Sequence, residues 1–238
     1  MMKCALVIVL ALAAMLIPAL PMAGAQAQQA RPVYSIDATI TAYNNGTAHV
    51  AMLLSLQNKA QCAASPGIIT ISLPSDDGML SRLTRPAHAY KNVTITRKDG
   101  TPMNFSVKEQ DGNTLIEVFD DEILLPDWYA HFIVSYDVNG AAAHGLLTDN
   151  MAMSFITPDM DMGSCHVTLN LPPGYNIVHV SKGGVEDGSR IIWTGEDAIS
   201  VSAEYSRLPF PDTPVPLQYV FWGTVASLIL GWGFMLKR

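Results

Sequence analysis

From Val33 to Ser206 apolar and polar residues alternate in short runs, each closed by Gly, Asn, Asp or Pro. A period of two sends one side of a run into a core and the other into water, so the runs read as strands. The first pair is Val33 to Tyr43 and Thr47 to Leu56, joined through Asn44-Asn45-Gly46. Asn-Gly between alternating runs is a strong hairpin signal because both residues tolerate positive φ. Further strands are expected at 67–73, 90–97, 104–108, 114–119, 131–138, 151–156, 166–171, 175–180, 190–193 and 199–205, separated by turns such as Lys98-Asp99-Gly100 and Pro172-Pro173-Gly174. No long amphipathic helix interrupts them. The expected fold is all-β, an Ig-like antiparallel β-sandwich over residues 28–207, with a subdivision conceivable near 139–148 (NGAAAHGLLT).

Both ends of the chain break this pattern. Met1 to Ala27 carries Lys3, an apolar core from Cys4 to Leu20 and then small residues, the layout of a signal peptide cleaved after Ala25 or Ala27. Leu217 to Leu236 is an uncharged run of 20 residues followed by Lys237 and Arg238. As a helix it would extend roughly 30 Å, the thickness of a bilayer's hydrocarbon layer. Tyr219, Phe221 and Trp222 lie toward one edge and Trp232 toward the other, where aromatic rings favour the interface. The basic pair places a tail of 237–238 in the cytoplasm by the positive-inside bias, in agreement with the export signal. Within the span Gly223, Ser227 and Gly231 recur every fourth residue, a spacing that permits close helix packing and a homo-oligomer through the membrane. The stretch 208–216 (LPFPDTPVP) reads as a proline-rich stalk.

The acidic residues, 21 in all, fall between Asp37 and Asp212, and three of the 14 basic residues lie in the terminal segments, which leaves the middle at −10. Such a body repels phosphate backbones and speaks against nucleic-acid binding.

Beyond Cys4, the exported part holds Cys62 and Cys165. An oxidising compartment favours a disulfide between them, with two free thiols as the alternative. Three sequons, at Asn45, Asn92 and Asn104, offer glycosylation sites, Asn45 being the most accessible in its hairpin turn. In the stretch 151–166 (MAMSFITPDMDMGSCH), Met160, Met162 and His166 are soft donors suited to cuprous copper. Asp159 and Asp161 hint at calcium, but core methionines and solvated aspartates are the plainer reading. Asp120-Asp121-Glu122 reads as a solvated turn. No serine elbow, zinc helix or phosphate loop occurs, and the histidines are scattered. The sequence therefore calls for no cofactor and no enzyme, although a constellation assembled in three dimensions stays open.

The opening hairpin with Asn45-Gly46-Thr47-Ala48-His49-Val50, together with Leu171-Pro172-Pro173-Gly174-Tyr175, Ile192-Trp193 and Val201 to Tyr205, resembles uncharacterised archaeal exported β-domain membrane proteins. That resemblance implies a signal, a sandwich domain, one C-terminal transmembrane helix and a place in the cell envelope. The end of the chain is also similar to sorting signals cut by envelope transpeptidases, which would remove the helix. The expected function is a non-enzymatic type I membrane protein with its N-terminal domain outside the cell, presenting the sandwich to a protein partner as adhesin, scaffold or accessory subunit. An extracellular metal- or solute-binding module and an envelope hydrolase are the alternatives.

Overall fold

A computed structural model describes residues 32–74, 88–155, 161–210 and 214–236. The signal-like segment, Asp159, Met160, Lys237 and Arg238 lie outside the described residues.

The alternation becomes strands wherever it was strong. β1 (Val33–Ala42) turns through Asn44-Asn45-Gly46 into β2 (Ala48–Gln57), with Gly46 at φ +77°. There follow β3 (Gly67–Pro74), β4 (Ala89–Arg97), β5 (Phe105–Gln110), β6 (Asn113–Asp120) and β7 (Tyr129–Asn139). Next come β8 (Ala142–His144), β9 (Asp149–Ser154), β10 (Asp161–Asn170), β11 (Asn176–Val180), β12 (Val185–Asp187), β13 (Arg190–Thr194) and β14 (Ser200–Ser206). One helix, α1 (Leu217–Leu236), ends the described chain.

A seven-stranded sheet runs β12-β13-β10-β1-β2-β7-β4, and two smaller sheets run β11-β14-β9-β8 and β3-β6-β5. The inward residues of all three meet in one core that includes Ile40, Met52, Leu54, Phe132, Met151, Ile116, Trp193 and Tyr205. The body is thus all-β and sandwich-like. It is not wholly antiparallel, because β1 pairs parallel with β10. Alternation reveals which side of a strand is buried but not the direction of its neighbour.

Several expectations change. The stretch 139–148 contributes β8, which pairs with β9. Cys62 and Cys165 are not bridged, and both thiols are free. Cys165 is buried on β10 opposite Ile36, which in turn faces Leu54 on β2, whereas Cys62 is exposed beyond the end of β2. Burial, with the Asp37 charge adding to it, pushes the Cys165 thiol up to about 11. Asp120 is no solvated turn residue: its side chain is fully buried and accepts a 2.8 Å ion-paired hydrogen bond from Arg97.

Residues 211–213 of the expected stalk lie outside the described residues. The Leu217 N–H at the start of α1 donates to Glu204 Oε2 on β14 at 2.6 Å, which ties the first residue of the helix to the body. Among the described residues no helix is long and apolar enough to cross a membrane. The side chains of Gln218, Gly231, Gly233, Phe234, Met235 and Leu236 fall outside them.

Packing around Trp193 is tight. Its ring is fully buried and its Nε1–H donates to Ser181 Oγ at 3.1 Å. A Cβ on Gly184 would stand 2.2 Å from Val180 Cγ1 and 2.7 Å from Trp193 Nε1. Gly184→Ala should therefore cost about 1–3 kcal/mol through overpacking. Chemical denaturation will read this as a lower midpoint at unchanged slope.

Candidate functional site

Two arrangements on this scaffold bear on function: an apolar platform at one end of the body and a set of histidine pairs across the strands.

The platform is built on Asn58, which directly follows β2 and is 6% exposed. Its Nδ2 donates to Cys62 O at 3.0 Å and to Leu124 O at 2.9 Å, and its Oδ1 accepts from Ala60 N–H at 2.9 Å. Its backbone exchanges hydrogen bonds with Asp127 and Trp128, while Ala64 and Leu124 pair with one another. One buried amide thus ties the β2–β3 and β6–β7 connections together. Leu124 turns inward, and the residues around it turn out: Ile123 is 66% exposed, Trp128 59% and Tyr129 53%, with Leu125 also exposed. On the neighbouring ladder Ile68 and Phe119 form an exposed cross-strand pair. Charges stand around this end, with Lys59 paired to Asp127 at 3.5 Å and Arg97 bridging Asp120 and Glu122. Large apolar side chains held rigidly in water and bordered by charge are the composition of a protein-docking surface.

The second arrangement follows from strand register. His49 on β2 lies directly opposite Asp137 on β7, and their Nδ1 and Oδ1 are 2.7 Å apart. Ser135, two residues before Asp137 and on the same face, brings its Oγ within 3.1 Å of His49 Nε2. Asn92 donates to the other Asp137 oxygen at 2.7 Å. Hydrogen bonds from Asn92 and then from His49 hold the Asp137 carboxyl below the usual carboxylate range. The sequence did not signal this Ser-His-Asp relay, since 86 residues separate Ser135 from His49. Bond topology matches that of a hydrolytic triad, but the surroundings do not. The relay lies on the outer face of the large sheet, with the His49 side chain 42% exposed and that of Asp137 35%. A serine nucleophile needs oriented donors for the oxyanion and a water-excluding wall, and an open sheet face supplies no such wall. The same pairing recurs without serine in His166–Asp37 and His144–Asp149, at 3.1 and 2.8 Å, also between register partners.

The remaining predicted positions are placed separately. Asn45, Asn92 and Asn104 are all exposed. Asn45 Oδ1 accepts from the N–H and hydroxyl of Thr47, and Asn92 sits at φ +52° where the β4–β7 register shifts. Met162 is half-buried, Asp161 exposed and His166 engaged with Asp37, while Met151 and Met153 belong to the core. Among the described residues no group of three acidic, histidine or cysteine side chains could hold a metal ion. On α1 the Ser227 hydroxyl bonds back to Gly223 O at 2.8 Å, one turn before Gly231.

No family model and no curated protein matches the chain. Among solved structures it is similar to a protein of Legionella pneumophila described as nutrient-binding, at TM-score 0.46 and 10% identity over 75% of this chain and 68% of that one. It is similar also to an M1 zinc metallopeptidase of Deinococcus radiodurans, at TM-score 0.39 and 9% identity, covering 75% of this chain and 42% of that one. Leukotriene A4 hydrolase of Saccharomyces cerevisiae gives 0.43 and 7%, covering 74% and 29%. The chain spans less than half of either of these last two proteins, and likenesses of this size say nothing about what it binds.

Asn58→Ala would remove the bonds to the Cys62 and Leu124 carbonyls and leave the Ala60 N–H without its acceptor, at a cost of about 1–3 kcal/mol. Hydrogen exchange should quicken selectively at the amides of Ala64, Leu124 and Asp127. For the relay, a fluorophosphonate probe should leave Ser135 unmodified under conditions that label a serine hydrolase, as peptide mass spectrometry will show. Stoichiometric labelling abolished by His49→Ala would restore the hydrolase alternative.

Proposed function

We propose that the chain is a non-enzymatic, single-pass envelope protein whose β body presents the Asn58-braced platform to a protein partner. The observation that carries this reading is the platform itself: Ile123, Leu125, Trp128 and Tyr129 exposed on connections that a buried amide holds rigid. Trp and Tyr are the side chains on which binding energy concentrates, and rigidity lowers the entropy cost of docking.

Membrane attachment is supported by α1. Its 20 residues carry no charge, and Tyr219, Trp222, Leu228, Ile229, Leu230 and Trp232 are each at least 64% exposed. Those side chains point all round the helix, so no single protein face would cover them, whereas a bilayer would. Lys237 and Arg238 after the span and the signal-like segment before the body give one polarity, with the body outside. The platform stands at the far end of the body from α1. β2 runs from Ala48, near the hairpin end, to Gln57, beside Asn58, a rise of about 30 Å. The platform would then face away from the membrane, toward a partner anchored elsewhere or diffusing.

A photo-crosslinking side chain placed at Trp128 in native membranes should yield one discrete adduct, and one placed at the exposed edge residue Val185 should not. Combined Ile123→Ala and Trp128→Ala should weaken capture of that adduct's partner at least about tenfold. Unchanged capture, or a chain that stays free of adducts, would overturn the docking role.

A further inference from the structure

The hairpin between β8 and β9 breaks the rule for its type. His144 pairs with Asp149 and the Gly145 N–H donates to Thr148 O at 2.9 Å, which leaves Leu146 and Leu147 as a two-residue loop. Tight hairpins of this length favour Asn, Asp and Gly at those positions. Here the tip is two leucines, and Leu146, at 83%, is more exposed than any other large apolar side chain among the described residues. The turn is not loose: a Cβ on Gly145 would meet Thr148 O at 2.5 Å. Leu208, 52% exposed, lies beside it, because Ser206 Oγ donates to Leu147 O at 2.7 Å and accepts from the Leu208 N–H at 3.0 Å.

The tip is also bound to the place where α1 starts. Glu204 is 1% exposed, and its carboxylate accepts from the Thr148 hydroxyl through Oε1 and from the Leu217 N–H through Oε2. A single buried carboxylate therefore joins the base of the Leu146-Leu147 tip to the first residue of the helix. Thr148, the tip-side partner of that carboxylate, is one residue from Leu147 and two from Leu146. Arg207, its guanidinium 5.1 Å over the Tyr175 ring, borders the same open cavity of about 390 Å³ as Leu146, Leu147 and Leu208.

We propose that the Leu146-Leu147 tip, with Leu208, inserts into the outer-leaflet interface of the bilayer that holds α1, so that the body lies against the membrane at a fixed tilt. Apolar side chains at such a depth sit roughly 5–10 Å into the headgroup and acyl boundary, where a neighbouring Arg meets lipid phosphate. Glu204 keeps the tip and the helix in register, and the platform at the other end is held out from the surface. The inference rests on membrane attachment through α1, and its test separates the two.

Full-length chain carrying Cys4→Ser and Cys62→Ser is reconstituted into phosphatidylcholine and phosphatidylglycerol vesicles, with an environment-sensitive fluorophore attached through Leu146→Cys, Cys165 being buried. A control carries the same fluorophore through Ile123→Cys in the β6–β7 connection, beside the Asn58 end of β2. If the tip inserts, the Leu146 probe emits at shorter wavelength than the Ile123 probe and is quenched by lipids bearing a nitroxide near the headgroup. The Ile123 probe is not quenched. If the chain floats with the vesicles but both probes report water, tip insertion is overturned and anchoring by α1 stands. A chain that does not float overturns both.

Discussion

The double pairing of β1 is the constraint on which the remaining architecture depends. On one side it accepts β2 through a three-residue turn, and on the other it accepts β10 in parallel, so that Val33 faces both Gln57 and Asp161. An interior strand must satisfy its backbone groups on both edges, and only a distant segment was free to close the second one. Ile36, Ala38 and Ile40 are then buried beneath two ladders at 3%, 0% and 0% exposure. β13 can join because β10 is in place, and β7 and β4 extend the sheet from β2. Such long-range closure is slow to form, since the entropy of bringing β10 back is lost before its contacts are gained.

The two ends of this sandwich are organised by the same device and turned to different surroundings. At each, a buried polar side chain collects the hydrogen bonds of connections that come from distant parts of the chain: Asn58 at one end, Glu204 at the other. A buried amide or carboxylate left unpaired is costly, so each hub holds its connections in one geometry. Around each hub apolar side chains project outward, which a water-soluble surface would not favour. The broad set around Asn58 includes Trp and Tyr with charges at its border and suits a protein. The narrow set around Glu204 is aliphatic, adjoins an uncharged helix and suits lipid.

The sequence was informative where the physics is local. Period-two alternation located twelve strands, eleven of them within two residues of their observed bounds, while β10 begins five residues before the expected 166, and Asn44-Asn45-Gly46 marked the first hairpin. β8 and β12, three residues each, are too short to display a period. The parallel sense of β10, the separation of Cys62 from Cys165 and the burial of Asp120 all depend on segments far away in the chain. Asp120 shows why: three acidic residues in a row resemble a solvated turn until Arg97 arrives from 23 residues upstream. The platform has one local trace in the sequence: Ile123-Leu124-Leu125 breaks the alternation between three acidic residues and Pro126, and only its middle residue is buried. The leucines at 146–147 left another, being apolar where a turn residue belongs.

The histidine pairs show how far bond geometry alone can carry a functional argument. In two of the three pairs, His49–Asp137 and His144–Asp149, the residues are directly opposed across antiparallel strands, where Cβ atoms stand about 4.5–5.5 Å apart, a spacing at which His and Asp meet without further arrangement. Adding a serine two residues along the same face completes a relay from nothing more than register. What register does not provide is a dry pocket, and without one the Ser135 hydroxyl competes with water for every proton it could pass to His49. Exposure of His49 and Asp137 therefore weighs more than the 2.7 and 3.1 Å contacts they make. By the same reasoning Asn58 and Glu204, whose geometry is no better but whose burial is nearly complete, are the polar groups through which this fold directs its surfaces.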